Sequence, residues 1–423
     1  MLLGTSYVMV FCVMAMAVSA KLRVRQGRVL LPASGPVRSG AFGGADSEFF
    51  LAVACCRWPV DDVVDAGLAA LIAGGLDWPR FLATVRRHRI GGMANHALAT
   101  RDDVPTEVKV SLAQAAASIL HVNLKSLALQ QALTQHFEAA GVPFLVMKGL
   151  PLCAMLFGNL KVRQSKDIDL LIDVAQLAPA EKILADLGFQ RIGLGTDLTP
   201  AQAAMWINRR KHFQYEHVIS KVQLELHWRD LDNARMDTTQ QLLRQRQWVQ
   251  VTREIALPAL QQDELLLSLC SHGAGHAWFR LKWLADVAVL LRQQPSADRA
   301  QLMAAARRRD LDRAVRQAIT LCAMLFDVPS TGLPPETSAD RFLLQVACDA
   351  LLAQDTGAGE FIPKNLLRSQ LLLRREWANR LGEMRIQMTS IADWKEMPLP
   401  RALYFLYPLL RLPLWLRRRR RRR

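Results

Sequence analysis

The sequence lacks the cysteine patterns that mark disulfide frameworks and zinc sites. Its seven cysteines are an odd number and include no C-x-x-C pair. Most of them lie in apolar helical patterns, where cysteine packs as a small hydrophobic side chain. This usage argues against a structural zinc site and indicates a reducing compartment, so we expect a cytoplasmic protein.

The N-terminus has little apolar material for crossing a membrane. The apolar stretch at 8–20 is too short to span a bilayer comfortably, and no Lys or Arg precedes it, although its V-S-A end suits a signal peptidase. A basic linker rich in Gly, Ser and Pro follows, and the globular pattern begins only at Asp46. For residues 1–45 three interpretations stay open: an extension upstream of the true start, a signal peptide, or a membrane anchor. We favour the first and expect the extension to be disordered.

The composition is that of a large globular protein with a basic surface. The 423 residues are 51% hydrophobic and 22% charged, which provides a large core and the length for two or three domains. Lys and Arg outnumber Asp and Glu by 54 to 38. A basic body suits a polyanionic ligand such as a nucleoside triphosphate, but surface Arg that serves solubility explains it equally well. Sequence-specific nucleic-acid binding is not expected.

The C-terminal residues 401–423 combine an apolar, aromatic segment with a run of seven arginines at 417–423. Pro408, Arg411 and Pro413 argue against a spanning helix. Two interpretations stay open. The first is an interfacial segment that an anionic membrane surface attracts, which would make the protein membrane-peripheral. The second is a disordered basic tail after a last core helix.

Hydrophobic periodicity separates helical from mixed segments. Apolar residues recur at helical spacing in the first and last thirds of the globular chain. Between these thirds, short apolar and alternating runs predict strands at 141–149 and 166–173, an amphipathic helix that Gly188 closes, and an antiparallel strand pair around Ser220.

The predicted fold class is therefore α+β. A small mixed or antiparallel sheet is inserted between an N-terminal helical segment and a C-terminal helical domain. The predicted units are the extension at 1–45, the helical segment at 46–140, the α/β core at 141–232, the helical domain at 233–400, and the apolar segment with its arginine tail at 401–423.

Two aspartates alternate with apolar residues in the run KDIDLLID. In a strand, Asp167 and Asp169 share one face at an edge of the sheet, and Ile168 and Leu170 take the other face. Two carboxylates held that close repel each other unless a cation lies between them, and Mg²⁺ prefers such oxygen ligands. The alternative is a strand edge at which both acids are solvated or paired with Arg163 and Lys166.

The residues around this pair favour a binding site. Lys148 and Gly149 follow the first predicted strand, where backbone N–H groups and an ammonium can contact a phosphate. The helix that begins near Pro151 adds its positive end to this turn. Glu225 supplies a third acid on a later strand.

A strand followed by KG and a helix, then R-x-x-x-D-x-D, then a lone acid on a strand, is the order of motifs in the DNA polymerase beta-like nucleotidyltransferase superfamily. The sequence resembles one branch of it, the uncharacterised bacterial nucleotidyltransferase family marked by KG, RxxxDIDLLV and ElHW. FFLAVACCRW and LDWPRFLATVRRHRI resemble that family's N-terminal signature, and HGAGHAWFRLKWLADVAVLL resembles its C-terminal one. The resemblance extends from Ser47 to about Ser330. It departs from the superfamily at Gly149-Leu150, where Gly-Ser or Gly-Gly is usual.

The resemblance implies an α/β nucleotidyltransferase core and an enzyme that transfers an NMP from an NTP to an unknown hydroxyl acceptor, which is a small molecule, a sugar or a protein. It implies two-metal catalysis with Mg²⁺ or Mn²⁺. The implied catalytic and metal-binding residues are Asp167, Asp169 and Glu225, and the implied nucleotide contacts are Lys148, Gly149, Arg163 and Lys166.

His272 and His276 have the i, i+4 spacing of some metal sites. The intervening sequence lacks the Glu of H-E-x-x-H and carries two glycines, which weaken a helix. Packing or hydrogen bonding behind the nucleotide pocket is the favoured interpretation. Arg280 and Lys282 are candidate triphosphate contacts, and Asp286 is a candidate helix cap or ion-pair residue.

Three functions of different classes remain open on the sequence alone. They are an active nucleotidyltransferase, a degenerate nucleotide-binding module that serves a complex, and a membrane-peripheral assembly protein whose basic tail is the functional part. The intact set of three acids favours the active enzyme.

Overall fold

The computed structural model describes residues 42, 44–193, 196, 198–230, 236–293, 298–353, 365–388 and 390–421. The signal-like stretch at 8–20 and residues 21–41 of the linker after it therefore lie outside the described residues. Phe42, which the sequence analysis placed in the extension, is buried and stacks on Phe49 with the ring centroids 5.9 Å apart. The globular core thus begins before Asp46.

The N-terminal segment is helical, as its periodicity predicts. Three of its helices begin at an aspartate whose carboxylate accepts a hydrogen bond from a backbone N–H of the first turn: Asp46, Asp61 and Asp77. Such caps satisfy N–H groups that have no partner within the helix. The helices are α1 (Ser47–Ala54), α2 (Asp62–Ala73), α3 (Trp78–His88), α4 (Gly91–Leu98) and α5 (Thr106–Ala139).

The described residues form a mixed sheet of seven strands. The strands are β1 (Phe144–Val146), β2 (Asp167–Ile172), β3 (Phe189–Arg191), β4 (His212–His217), β5 (Gln223–His227), β6 (Gln247–Gln250) and β7 (Ala256–Ala259). Their order across the sheet is β3-β4-β5-β2-β1-β7-β6. The helices α6 (Leu150–Phe157), α7 (Leu177–Asp186), α8 (Pro200–Arg209) and α9 (Met236–Arg244) connect them.

The strand positions confirm part of the sequence prediction and correct another part. The predicted strands at 141–149 and 166–173 form, and the pair around Ser220 is the antiparallel hairpin β4–β5. However, β3, β6 and β7 were not predicted, and β6 and β7 come from the segment at 233–400 that was assigned to the helical domain. Because β2 lies in the interior of the sheet, the acidic pair is on a face of the sheet and not at its edge.

The remaining helices follow the sheet. They are α10 (Gln262–Gly275), α11 (Leu281–Gln293), α12 (Asp298–Arg308), α13 (Asp312–Phe326), α14 (Ser338–Leu352), α15 (Leu366–Leu373), α16 (Trp377–Gln387), α17 (Ile391–Glu396) and α18 (Tyr407–Arg421).

The N-terminal and C-terminal helices share one hydrophobic core. Leu51 and Phe81 from the first group are fully buried in the same cluster as Leu284 and Ile319 from the second. Arg87 reinforces this union, because its guanidinium donates to the carbonyl oxygens of Phe279 at 2.7 Å and Ala350 at 2.8 Å. The two helical parts therefore form one body against which the sheet packs.

The C-terminal segment is ordered as far as Arg421, so the interpretation as a disordered tail is wrong for these residues. Tyr407 of α18 and Trp394 of α17 are buried in the core of the sheet. Arg411 is buried and donates to Asp393 at 2.8 Å. Within the described residues, no helix has the length and apolar character that crossing a membrane requires.

Candidate active site

The turn between β1 and α6 brings backbone and ammonium donors to the sheet. Gly149 has φ +82°, and a Cβ added there would lie 2.8 Å from the Ser165 hydroxyl oxygen, so both the conformation and the space require glycine. The helix starts directly after it and directs the positive end of its dipole at this turn. The turn is thus built to approach an anion closely.

The three predicted acids lie side by side on neighbouring strands. Because β2 and β5 are parallel and in register, Asp169 pairs with Glu225 and Asp167 pairs with Gln223. The apolar residues Ile168 and Leu170 point into the core on the opposite face, as the alternation predicts. Asp169 is only 2% exposed, and its Oδ1 lies 3.3 Å from the ammonium of Lys148.

The pKa values of the two aspartates are shifted in opposite directions. Burial disfavours both carboxylates, and the charge of Asp169 adds to this at Asp167, so the pKa of Asp167 is raised. At Asp169, Lys148 and a hydrogen bond from His227 outweigh burial and lower the pKa. Burial also disfavours the charged form of Lys148, but the acids around it, Asp169 first, raise its pKa. Asp169 and Lys148 thus form a charged pair beside Asp167, whose charged form is disfavoured.

Glu225 is surrounded by side chains that stabilise its carboxylate. His227 Nε2 lies 3.1 Å from Glu225 Oε2, and Gln214 Nε2 donates to Glu225 Oε1 at 3.2 Å. His212 Nε2 lies 3.8 Å from the same Oε1. Burial opposes ionisation, but His212 and His227 outweigh it and hold the pKa of Glu225 well below its usual range. The sequence analysis missed both histidines, although ELHW displays one of them.

The face of the sheet that carries Asp167, Asp169 and Glu225, here called the acidic face, has the chemistry of a divalent-cation site. Asp169 Oδ2 is buried and has no hydrogen-bond partner in the described part of the chain. A buried carboxylate oxygen without a donor is unfavourable, and a cation would satisfy it. Asp167 and Glu225 lie on the same face as further oxygen ligands. The residues present therefore fit a divalent metal ion.

Arg163 is buried away from solvent in an ion pair. Its guanidinium donates to both oxygens of Asp286, at 2.8 and 2.9 Å, and contacts the carbonyl of Gly149 at 3.4 Å. Both partners are nearly inaccessible to solvent, with exposures of 4% and 0%. The bidentate pair ties α11 to the turn at Gly149, so Arg163 supports that turn from behind in this conformation.

Asn123 holds the loop before the acids, and the sequence analysis did not identify it. Its side chain is fully buried in α5, donates to the carbonyls of Leu160 at 2.7 Å and Arg163 at 2.9 Å, and accepts from Ser165 N at 3.0 Å. A single amide thus fixes three backbone groups of this loop. An Asn inside a helical pattern carries no local signal of this role.

The remaining predicted phosphate contacts differ in position. Lys282 is buried, donates to the carbonyl of Gln164 at 3.2 Å, and burial together with the charge of Arg163 lowers its pKa to about 7. The Arg280 guanidinium donates to the carbonyl of Arg87 in α3. Lys166 is exposed beside the acids. Lys282 thus contacts the loop before the acids, whereas Arg280 contacts α3.

His272 and His276 belong to an aromatic cluster on α10 and α11. Their rings are 4.9 Å apart, and each contacts Trp283, at 5.1 and 5.4 Å between centroids. Phe279 packs on the same Trp283 at 4.9 Å. The contacts agree with the predicted packing role of the histidine pair.

A profile of the family described as uncharacterised nucleotidyltransferase matches residues 74–327, which is more than half of the 423. The chain belongs to this family. No curated protein matches the sequence.

Proposed function

We propose that the protein transfers an NMP from an NTP to a hydroxyl acceptor. The observation that carries this proposal is the placement of Asp167, Asp169 and Glu225 on the adjacent parallel strands β2 and β5, beside the turn at Lys148 and Gly149. Family membership supports the general reaction. The acceptor is a small molecule, a sugar or a protein.

The triphosphate would bind at the turn between β1 and α6. There the backbone N–H groups of the first turn of α6 face the phosphates, and Lys148 neutralises part of their charge. Asn123 holds the loop that carries Arg163, and Arg163 contacts the carbonyl of Gly149, so the donors are positioned before the nucleotide arrives. Lys282 and the exposed Lys166 add positive charge near the acids. Arg163 acts here as a positioning residue.

The acids would hold Mg²⁺ or Mn²⁺ and align the reacting groups. Divalent ions bound there would stabilise both the attacking and the leaving oxygen of an in-line displacement at the α-phosphorus. The carboxylate of Asp169 on β2 contacts residues on both sides of this strand. One is Lys148, which follows β1, and the other is His227 of β5. Glu225 lies one strand further from the phosphate turn, so we assign it to the acceptor side, where it would orient the hydroxyl or accept its proton.

The proposal is tested by incubating the purified protein with each α-labelled NTP and either Mg²⁺ or Mn²⁺, with and without a cell extract as the source of acceptor. The expected result is label on the protein itself or on a component of the extract, and no label with Asp169→Asn. NTP binding without transfer under all of these conditions would instead identify a degenerate nucleotide-binding module.

A second property is supported by the surface of α18. Leu409, Leu412 and Leu416 are exposed by 74%, 38% and 38%, and their spacing places them along one side of this helix. The arginine run at 417–423 follows directly. An exposed apolar stripe beside clustered arginines is typical of a helix that lies in an anionic membrane surface. We therefore propose peripheral attachment to such a surface.

Membrane attachment is tested by flotation with liposomes that do or do not contain phosphatidylserine. The full-length protein should float with the anionic liposomes only, and Leu409→Glu should reduce this binding because Leu409 is exposed and its change leaves the core intact. The matched control is Val110→Glu, which alters an apolar residue of α5 that is 50% exposed. Equal binding by Leu409→Glu and the control would exclude this role for the stripe.

A further inference from the structure

The cluster of His212, Glu225 and His227 has the dimensions of a metal site. One ligand atom from each of the three residues lies within 4.8 Å of the others. His227 Nε2 and Glu225 Oε2 are 3.1 Å apart, and His212 Nε2 and Glu225 Oε1 are 3.8 Å apart. Donors that share one ion at about 2.1 Å lie roughly 3 to 4 Å from each other. The cluster therefore needs little rearrangement to bind an ion.

Strand pairing alone brings these residues together. Glu225 and His227 are two positions apart on β5 and so share a face of the sheet. His212 of β4 is the register partner of His227, and therefore lies on that same face. Asp169 of β2 is the register partner of Glu225 on the other side. Three adjacent strands thus present two imidazoles and two carboxylates at one place.

A second, independent observation indicates that this place binds a cation. Asp169 is 2% exposed, its Oδ1 lies 3.4 Å from His227 Nε2, and its Oδ2 is buried without a hydrogen-bond partner among the described residues. His227 is equally buried, and its Nδ1 also lacks such a partner. The polar contacts of this imidazole consequently run through Nε2, which faces both carboxylates.

The ligand types discriminate between metals. Mg²⁺ takes oxygen ligands and keeps several of its waters, whereas imidazole nitrogen is a preferred ligand of first-row transition metals. We propose that His212, Glu225 and His227, with Asp169 shared between two positions, form a site for a first-row transition-metal ion that prefers imidazole, such as Zn²⁺. The inference rests on the proposed function in one respect: it assigns this ion to the acceptor side, and leaves Mg²⁺ to the triphosphate beside Asp167.

Metal binding is measured directly, with Co²⁺ as a coloured probe. Visible absorption and calorimetry would follow Co²⁺ titrated into the full-length protein in the presence of excess Mg²⁺. We expect one Co²⁺ per chain with the absorption of a nitrogen-containing site. His212→Ala and His212→Gln should weaken this binding at least about tenfold, since even the outer-shell partners of metal ligands commonly contribute that much. His212 is half-buried, so both variants are expected to fold, which thermal melting without metal checks.

The matched control is His121→Ala, which removes an exposed histidine of α5 and should leave Co²⁺ binding unchanged. Unaltered Co²⁺ affinity in both His212 variants, or displacement of Co²⁺ by Mg²⁺ at equal concentration, would overturn the proposed site. If these results occur while the protein still transfers a nucleotide with Mg²⁺, the proposed function survives and this inference does not. Intact His212-dependent Co²⁺ binding without any transfer supports the site and contradicts the function.

Discussion

Replacing the two aspartates of β2 separately should give equal losses of activity and opposite changes in stability. Asp167→Asn and Asp169→Asn each remove a carboxylate that the proposed mechanism assigns to the metal, and we expect transfer to fall at least about a thousandfold, which corresponds to about 4 kcal/mol of transition-state stabilisation. Asn has nearly the size of Asp, so neither change disturbs Ile168 and Leu170, which pack in the core on the opposite face.

The stability effects differ because the two carboxylates have different surroundings. The carboxylate of Asp169 is paired with Lys148 at 3.3 Å, and losing a fully buried pair of this kind costs about 3 to 5 kcal/mol. Because the Lys148 side chain is 25% exposed, solvent screens part of the interaction, and we expect Asp169→Asn to lower the free energy of unfolding by only about 1 to 2 kcal/mol. Asp167→Asn removes a carboxylate that burial and Asp169 destabilise, and should stabilise the metal-free protein.

The pH dependence follows from the two pKa shifts. The folded-state pKa of Asp169 is lowered, so its contribution is present above the unfolded value of about 3.9 and disappears as the pH falls through the folded value. The folded-state pKa of Asp167 is raised, so its unfavourable contribution is present above that raised value and is lost as the pH falls to about 3.9. The effects of both variants should therefore shrink as the solution becomes acidic.

The measurement is urea unfolding of the wild type and both variants without divalent ions, at a series of pH values from neutral to acidic, together with the labelled-NTP assay. Destabilisation by Asp167→Asn, or equal changes in stability for the two variants at neutral pH, would refute the assignment of Lys148 to Asp169. Wild-type transfer activity in either variant would refute the role of the acids in catalysis.

Three further changes test other parts of the site. Arg163→Met should lower the free energy of unfolding by about 3 to 5 kcal/mol because it leaves the Asp286 carboxylate buried and unpaired, and urea unfolding should show most of this loss reversed in Arg163→Met/Asp286→Leu. Gly149→Ala should cost about 1 to 3 kcal/mol in the same measurement and weaken NTP binding in calorimetry, since alanine resists φ +82° and would contact a hydroxyl oxygen. Deleting 417–423 should lower the melting temperature by a few degrees, because Arg418 donates to Glu396 at 2.7 Å.

The sequence predicts the part of the site that rests on local periodicity. Alternation along KDIDLLID places Asp167 and Asp169 on one face because a strand has a period of two, and the structure agrees. Glu225 is predicted because it alternates with leucines in the same way. The face of a strand can thus be read from a few adjacent residues.

The supports of the site are not predictable in this way, since each depends on a partner distant in sequence. In the sequence Arg163 resembles a phosphate ligand, but in the structure it is paired with Asp286, 123 positions later. His212 becomes a neighbour of Glu225 only through the register of β4 and β5. β6 is short, and its four residues give too little alternation to distinguish it from a helical turn.

The ion pair between Arg163 and Asp286 also sets an order of events during synthesis. A ribosome adds about 5 to 20 residues per second, so roughly 6 to 25 s separate the two side chains, which are 123 positions apart. During that interval the residues of β2 have been synthesised, but the guanidinium of Arg163 has no Asp286 carboxylate to pair with. The turn at Gly149 therefore lacks this support until α11 has been synthesised, and a truncated product that ends before α11 should not bind an NTP.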